Sequence, residues 1–264
     1  MSRPVKAATS ITASLLLGLS LSAGVVHIDF DNFINASGNT VDLRDNNRIT
    51  DQYEAAYGLT FSGVRYNSSG NRASTQYGLS VYDTSGPNTN DDDLEPTYGN
   101  VEDIFGLSAT YNPGNVLVIQ ENGSTAEWGA DDNAKGGKIK MRWEEAVTLT
   151  ELVFLDIGDN DENTFGLNFK FYYADGTTSS KSNVFGEGAD NITLFEPTTN
   201  SWLDNKGKSI TGLDVKYKAS SALASLSFTP IPEPSNLLFV GTALSMVLVG
   251  TRRRRTARKT SVTA

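Results

Sequence analysis

Between residues 25 and about 229 the chain changes from apolar to polar in short runs, and helical periodicity is almost absent. In Lys138-Ile139-Lys140-Met141-Arg142-Trp143 the apolar side chains fall on one face of an extended chain and the three cations on the other. Leu213-Asp214-Val215-Lys216-Tyr217 has the same alternation. Such runs, bounded by Gly, Asn, Asp and Pro, predict strands over 25–30, 58–66, 78–82, 115–120, 138–143, 148–157, 165–173, 177–184, 210–217 and 223–228. Asp175-Gly176, between Tyr173 and Thr177, is the strongest hairpin signal, because Gly supplies positive φ in a tight turn. About ten strands with one buried face each predict an all-β domain, an antiparallel two-sheet β-sandwich of jelly-roll type, with Trp143 in its core.

The two ends depart from that pattern. Residues 1–24 combine a short basic region (Arg3, Lys6), an apolar stretch from Ile11 to Leu21, and small residues at Ser22 and Gly24. This is the layout of a signal peptide cut by signal peptidase after Gly24 or after Ala23, the competing reading being an uncleaved N-terminal anchor. Residues 230–264 begin Pro230-Ile231-Pro232-Glu233-Pro234-Ser235, run through an uncharged hydrophobic segment at 236–251, and meet Arg252, Arg253, Arg254 and Arg255. As a helix that segment would be about 24 Å long, somewhat short of a roughly 30 Å hydrocarbon core, a mismatch that local thinning absorbs. The four arginines act as a membrane stop and stay on the cytoplasmic side, which places residues 25–229 outside.

Pro232-Glu233-Pro234, a hydrophobic helix and a terminal Arg cluster, in that order, resemble the PEP-CTERM sorting signal of Gram-negative bacteria. The resemblance covers about residues 230–259. It implies recognition by an exosortase, a membrane-embedded protease-transpeptidase that cleaves near the motif, and a host that makes exopolysaccharide and biofilm. Pro232, Glu233 and Pro234 are then a sorting motif for another enzyme, and the prolines keep it extended. More loosely, the central region resembles secreted bacterial domains that often carry this signal. The matching pieces include Ile28-Asp29-Phe30-Asp31, Tyr57-Gly58-Leu59-Thr60-Phe61-Ser62, Val81-Tyr82-Asp83-Thr84, Asn115-Val116-Leu117-Val118-Ile119 and Leu155-Asp156-Ile157. That group brings no activity with it.

Charge narrows the partners. The whole chain carries −9, but eight of its 22 basic residues sit at the two ends. Between residues 24 and 250 only 14 basic residues face all 31 acids, a net −17, which argues against nucleic acid as a partner. With no cysteine, disulfides, thiolate metal sites and Cys nucleophiles are excluded, and a single histidine, His27, excludes multi-His zinc sites. His27 reads as a strand residue.

The acids are clumped in three places: Asp83 with Asp91, Asp92, Asp93 and Glu95, Asp131 with Asp132, and Asp156 with Asp159, Asp161 and Glu162, where Asn163 adds an amide oxygen. Crowded carboxylates are relieved by solvent or by a hard cation, so Ca2+ is the one candidate cofactor. Asp159-Asn160-Asp161-Glu162-Asn163 has the spacing that opens many calcium loops, but Thr164 and Lys170 stand where an EF-hand needs Gly and Glu. The competing reading is a solvated acidic loop. Trp128 and Trp202 fall in expected loops, where exposed indoles would suit sugar rings. These features favour a non-enzymatic surface or matrix protein, structural or adhesive, in contact with polysaccharide. The alternative is a secreted carbohydrate-active hydrolase that uses two loop carboxylates, although paired acids arise readily by chance among so many.

Overall fold

The computed structural model describes residues 24–85, 94, 113–121, 130, 132–157, 166–184, 193–195 and 208–231. The signal segment up to residue 23, the sorting motif Pro232, Glu233 and Pro234, the hydrophobic segment 236–251 and Arg252 to Arg255 lie outside the described residues. Among the described residues no helix is long and apolar enough to cross a membrane.

The described chain is all-β and its pairings are antiparallel. Thirteen strands follow in order: β1 (Val26–Ile28), β2 (Asn32–Ile34), β3 (Thr40–Asp42), β4 (Arg48–Ile49), β5 (Leu59–Arg65), β6 (Leu79–Asp83), β7 (Asn115–Ile119), β8 (Gly137–Leu155), β9 (Leu167–Tyr173), β10 (Thr178–Val184), β11 (Thr193–Phe195), β12 (Ile210–Tyr217) and β13 (Ala222–Pro230). One helical turn, α1 (Glu54–Tyr57), precedes β5; it closes on Gly58, whose φ of 61° lets its N–H reach the Glu54 carbonyl.

The 19-residue β8 organises the rest. Its first part, up to Trp143, lies between β5 and β12, and β9 and then β10 continue outward from β12. From Val147 onward β8 pairs with β13, and Leu152 to Phe154 also pair with β11. Beyond β13 come β7, β6 and β4, while β1 pairs with β13 at Leu226 to Phe228. Strands expected separately at 138–143 and 148–157 are thus one continuous strand. Glu144 and Glu145 are exposed in succession, and this break in alternation makes the strand look like two in the sequence.

The hairpins follow local chemistry. At Asp175-Gly176 the loop has three residues and not two: the Gly176 N–H donates to the Tyr173 carbonyl, the Tyr173 N–H donates to Thr177, and Gly176 has φ 81°. This is a turn closed by a left-handed glycine, with the Asp175 carboxylate accepting from the Thr177 N–H at 2.9 Å. The same bond pattern recurs at Asn35 to Asn39 around Gly38 and at Asn67 to Asn71 around Gly70. In each, the leading Asn side chain accepts from the backbone two and four residues on.

The main core gathers the inward faces of both parts of β8. Ile139, Met141 and Trp143 join Leu152 and Phe154, with Phe169, Phe171, Leu213, Val215, Leu226 and Phe228 around them. Trp143 is in the core as expected, its ring 5.6 Å from Phe228 and edge-on to it. A second cluster covers the opposite face of β7, β13 and the end of β8: Tyr82, Leu94, Val116, Val118, Val153, Leu155 and Ala222. β7 is consequently buried on both faces, and its Asn-Val-Leu-Val-Ile sequence has no polar face to expose.

Candidate functional site

Sequence chemistry concentrates at one end of β6 and β7, where a cleft of about 610 Å³ opens among Asp31, Asp42, Arg44, Asp45, Asp83 and Asn115. These residues come from four separate stretches of chain. Phe30, fully buried, has φ 62°, a left-handed conformation that costs a non-glycine residue roughly 1–2 kcal/mol. Its ring packs edge-on against Tyr53 and Phe61, which holds that backbone in place and turns Asp31 toward the cleft. The Asp31 carboxylate accepts from the Asn115 N–H at 3.0 Å, and the Asn115 amide donates to the carbonyls of Phe30 and Leu43 at 3.3 and 3.2 Å. A side chain on Gly114 would sit 2.7 Å from Asp31 Oδ1, so the close approach requires glycine there.

Asp45 stands on a turn laid against β6. The Asn46 N–H donates to the Val81 carbonyl, and the Val81 N–H donates to Asn47. Asp45 accepts from the backbone N–H groups of Asp83 and Ala130, at 3.4 and 3.3 Å. Asp83 itself accepts from the Ser85 N–H at 2.9 Å and the Ser85 hydroxyl at 2.6 Å. Burial pushes the Asp31 and Asp45 carboxyls above the usual range; backbone N–H donors oppose this, and the carboxylates of Asp29 and Asp83 add to it. The cleft is therefore a concentration of negative charge, with Arg44 as the one cation among the described residues of its lining.

Of the other acids expected at a cation site, Asp132 and Asp156 are described, and neither lines this cleft. Asp132 is buried and accepts from the Ser221 N–H at 2.7 Å and from the Ser220 hydroxyl. It lies near the Tyr217 phenol, whose pKa burial pushes well up, with the Asp132 charge adding to the effect. Asp156, also buried, has φ 54°, and its carbonyl accepts from the Ser221 hydroxyl at 3.0 Å. Ser221 thus joins Asp132 and Asp156 at one end of β13, away from Asp83. Asp91, Asp93, Asp131, Asp159, Asp161 and Asn163 lie outside the described residues, as do Trp128 and Trp202. Among the described residues no three His, Cys, Asp or Glu side chains converge to hold a metal ion.

His27 is a strand residue in β1, and its Nδ1 is 2.9 Å from the Ser227 hydroxyl. That hydroxyl donates to Glu151 at 3.3 Å. The serine stands between imidazole and carboxylate, whereas a hydrolytic triad places the imidazole in the middle.

Sequence reasoning singled out Asp83 but not Asp31 or Asp45. Asp31 enters only within the piece Ile28-Asp29-Phe30-Asp31, one residue past the strand expected over 25–30. Asp45-Asn46-Asn47 has the composition of a turn, yet nothing local reveals that it packs beside Asp83. Compared with known proteins, the chain matches no family model, and no curated protein matches it significantly.

Proposed function

We propose that this protein is an exported surface or extracellular-matrix protein, sorted by an exosortase, with a structural or adhesive role in contact with polysaccharide. One observation carries the reading: Pro232-Glu233-Pro234, an uncharged segment at 236–251 and four arginines at 252–255 follow a domain that carries nearly all the acids. Lipid separates charge in that order only if the acidic domain is outside and the arginines inside. The domain is proposed to be a two-sheet, jelly-roll-like β-sandwich. The division of β8 between two sets of partners, with both inward faces feeding one core, supports that architecture.

Calcium is proposed for the acidic loops, on the spacing of Asp159 to Asn163. Titrating chelator-treated protein with Ca2+ should release heat and raise the melting temperature; no heat and no shift would remove calcium from the account.

Mass spectrometry of the protein from its native host tests the sorting reading. The expected product begins at Val25 and ends near Pro232, in the envelope or the medium. An intact chain in the cytosol would overturn it. A glycan screen scored for both retention and cleavage separates adhesion from hydrolysis.

A further inference from the structure

The register of β5, β8, β12, β9 and β10 builds one outward face from three cross-strand rows. The first row is Val64, Lys138, Lys216 and Asn168. The second is Ser62, Lys140, Asp214, Lys170 and Ser180. The third is Thr60, Arg142, Gly212, Tyr172 and Thr178. Five of the 14 basic residues between positions 24 and 250 fall here, and within the rows they meet one acid, Asp214. Glu144 lies beyond the third row, next to Gly58, at the end of the face.

Four of the five cations, all but Lys140, are held and not merely solvated. Arg142 crosses the bare backbone of Gly212, where a Cβ would stand 3.0 Å from its Cδ, and its guanidinium lies 4.5 Å from the centre of the Tyr172 ring. Lys170 approaches the same ring at 5.1 Å, and Lys216 lies 5.1 Å from the Tyr66 ring. Asp214 accepts from Arg142 at 2.6 Å, from Lys138 at 3.3 Å and from the Tyr172 hydroxyl at 3.2 Å. Its charge is thereby used within the first and third rows. Among the described residues, Lys140, Lys170 and Lys216 have no carboxylate partner. Neighbouring strands lie about 4.8 Å apart and alternate residues about 6.7 Å apart along a strand, so these ammonium groups are spaced over several ångströms on a broad, shallow surface.

We infer that this face binds an anionic polysaccharide whose sugars each carry one carboxylate, a polyuronate, through Lys140, Lys170 and Lys216. Charge complementarity selects a polyanion, and charge density selects among polyanions. Duplex DNA presents one negative charge per about 1.7 Å, and a domain of net −17 repels so dense a rod strongly. A glycan with a single charge on each ring spreads its repulsion, while ring hydroxyls can bond Ser62, Ser180, Thr60 and Thr178 in the same rows. The inference rests on the polysaccharide-contact reading above and names the ligand class and the surface for it.

The test uses the full chain in neutral detergent and two polymers with the same backbone: polygalacturonate and its fully methyl-esterified form. The protein should bind polygalacturonate and not the ester, and binding should weaken about tenfold between 50 and 200 mM salt. Lys140→Gln/Lys170→Gln should lose about tenfold in affinity, with an unchanged circular dichroism spectrum and melting temperature. Arg48→Gln, which removes an exposed cation on β4, outside the three rows, should bind as the parent does. Equal affinity in the Lys140/Lys170 variant overturns the assignment to this face. Equal binding of the ester overturns the charge mechanism and leaves polysaccharide contact standing. Tighter binding to duplex DNA overturns the ligand class. Retention on host exopolysaccharide with no binding to polygalacturonate overturns the polyuronate, and loss of both overturns the polysaccharide reading itself.

Discussion

The acidic cleft and the basic face both crowd like charges, and they stabilise them by different means. In the cleft, Asp31 and Asp45 are held by backbone N–H donors, and the net effect of burial and neighbouring carboxylates is to favour the proton. On the face, Asp214 is also pressed upward by burial, but the Arg142 hydrogen bond and charge, with Lys138, outweigh this and hold its carboxyl below the usual range. One region would be more stable if it lost charge and the other depends on keeping it. Backbone dipoles alone do not offset burial and the repulsion of neighbouring carboxylates, whereas one well-placed counter-charge fixes two cations and a tyrosine.

Substitutions can break this contrast. The largest effect is expected at Asp214, whose side chain is only 6% exposed. Asp214→Asn should cost about 2 kcal/mol at neutral pH, the size of a charge-assisted hydrogen bond with its partners left behind. Because the folded carboxyl titrates below its ordinary value of 3.8, that stabilisation is complete above 3.8 and is lost as pH falls through the folded value. Chemical denaturation at pH 7 and at pH 2.5 should therefore show the gap between parent and variant closing in acid. A constant gap would mean that packing, and not charge, holds the site.

A smaller loss, about 1 kcal/mol, is expected for Gly212→Val, which drives a side chain into Arg142 and lifts it from Tyr172. A change in tyrosine fluorescence without loss of the fold would report the displacement. The smallest effect has the opposite sign. Asp45→Asn should raise the melting temperature slightly at pH 7, because the folded carboxyl titrates above its ordinary 3.8 and its ionised form is penalised. The gain should vanish below that value, where parent and variant are both neutral. A destabilised Asp45→Asn at pH 7 would show that the hydrogen bonds from Asp83 and Ala130 need a full negative charge.

How far these features could be read in advance depended on how local they were. Lys138 to Trp143 and Leu213 to Tyr217 alternate without interruption, so their strands, inward residues and outward cations were all legible. That the two sets of cations lie side by side required the register between β8 and β12, which no local pattern contains. β4 and β11, with two and three residues, are too short to give a period. The cleft joins residues 31, 45, 83 and 115, each ordinary in its own segment, and its existence is a property of the tertiary fold. The expectation of one buried face per strand also failed at β7, where Leu94 and its neighbours cover the second side.

The pairing of β1 with β13 sets how the domain would bear a pull. Val26 is opposite Phe228, so the two ends of the domain leave from the same edge of one antiparallel ladder. Tension between those ends would peel β1 away bond by bond, starting at Val26, with only three residue pairs to resist it. β13 itself is bonded to β8 from Ala222 to Pro230, a far longer ladder than its pairing with β1. A pull shared between the two ends therefore opens the β1 side first, while the longer ladder keeps β13 in the sheet.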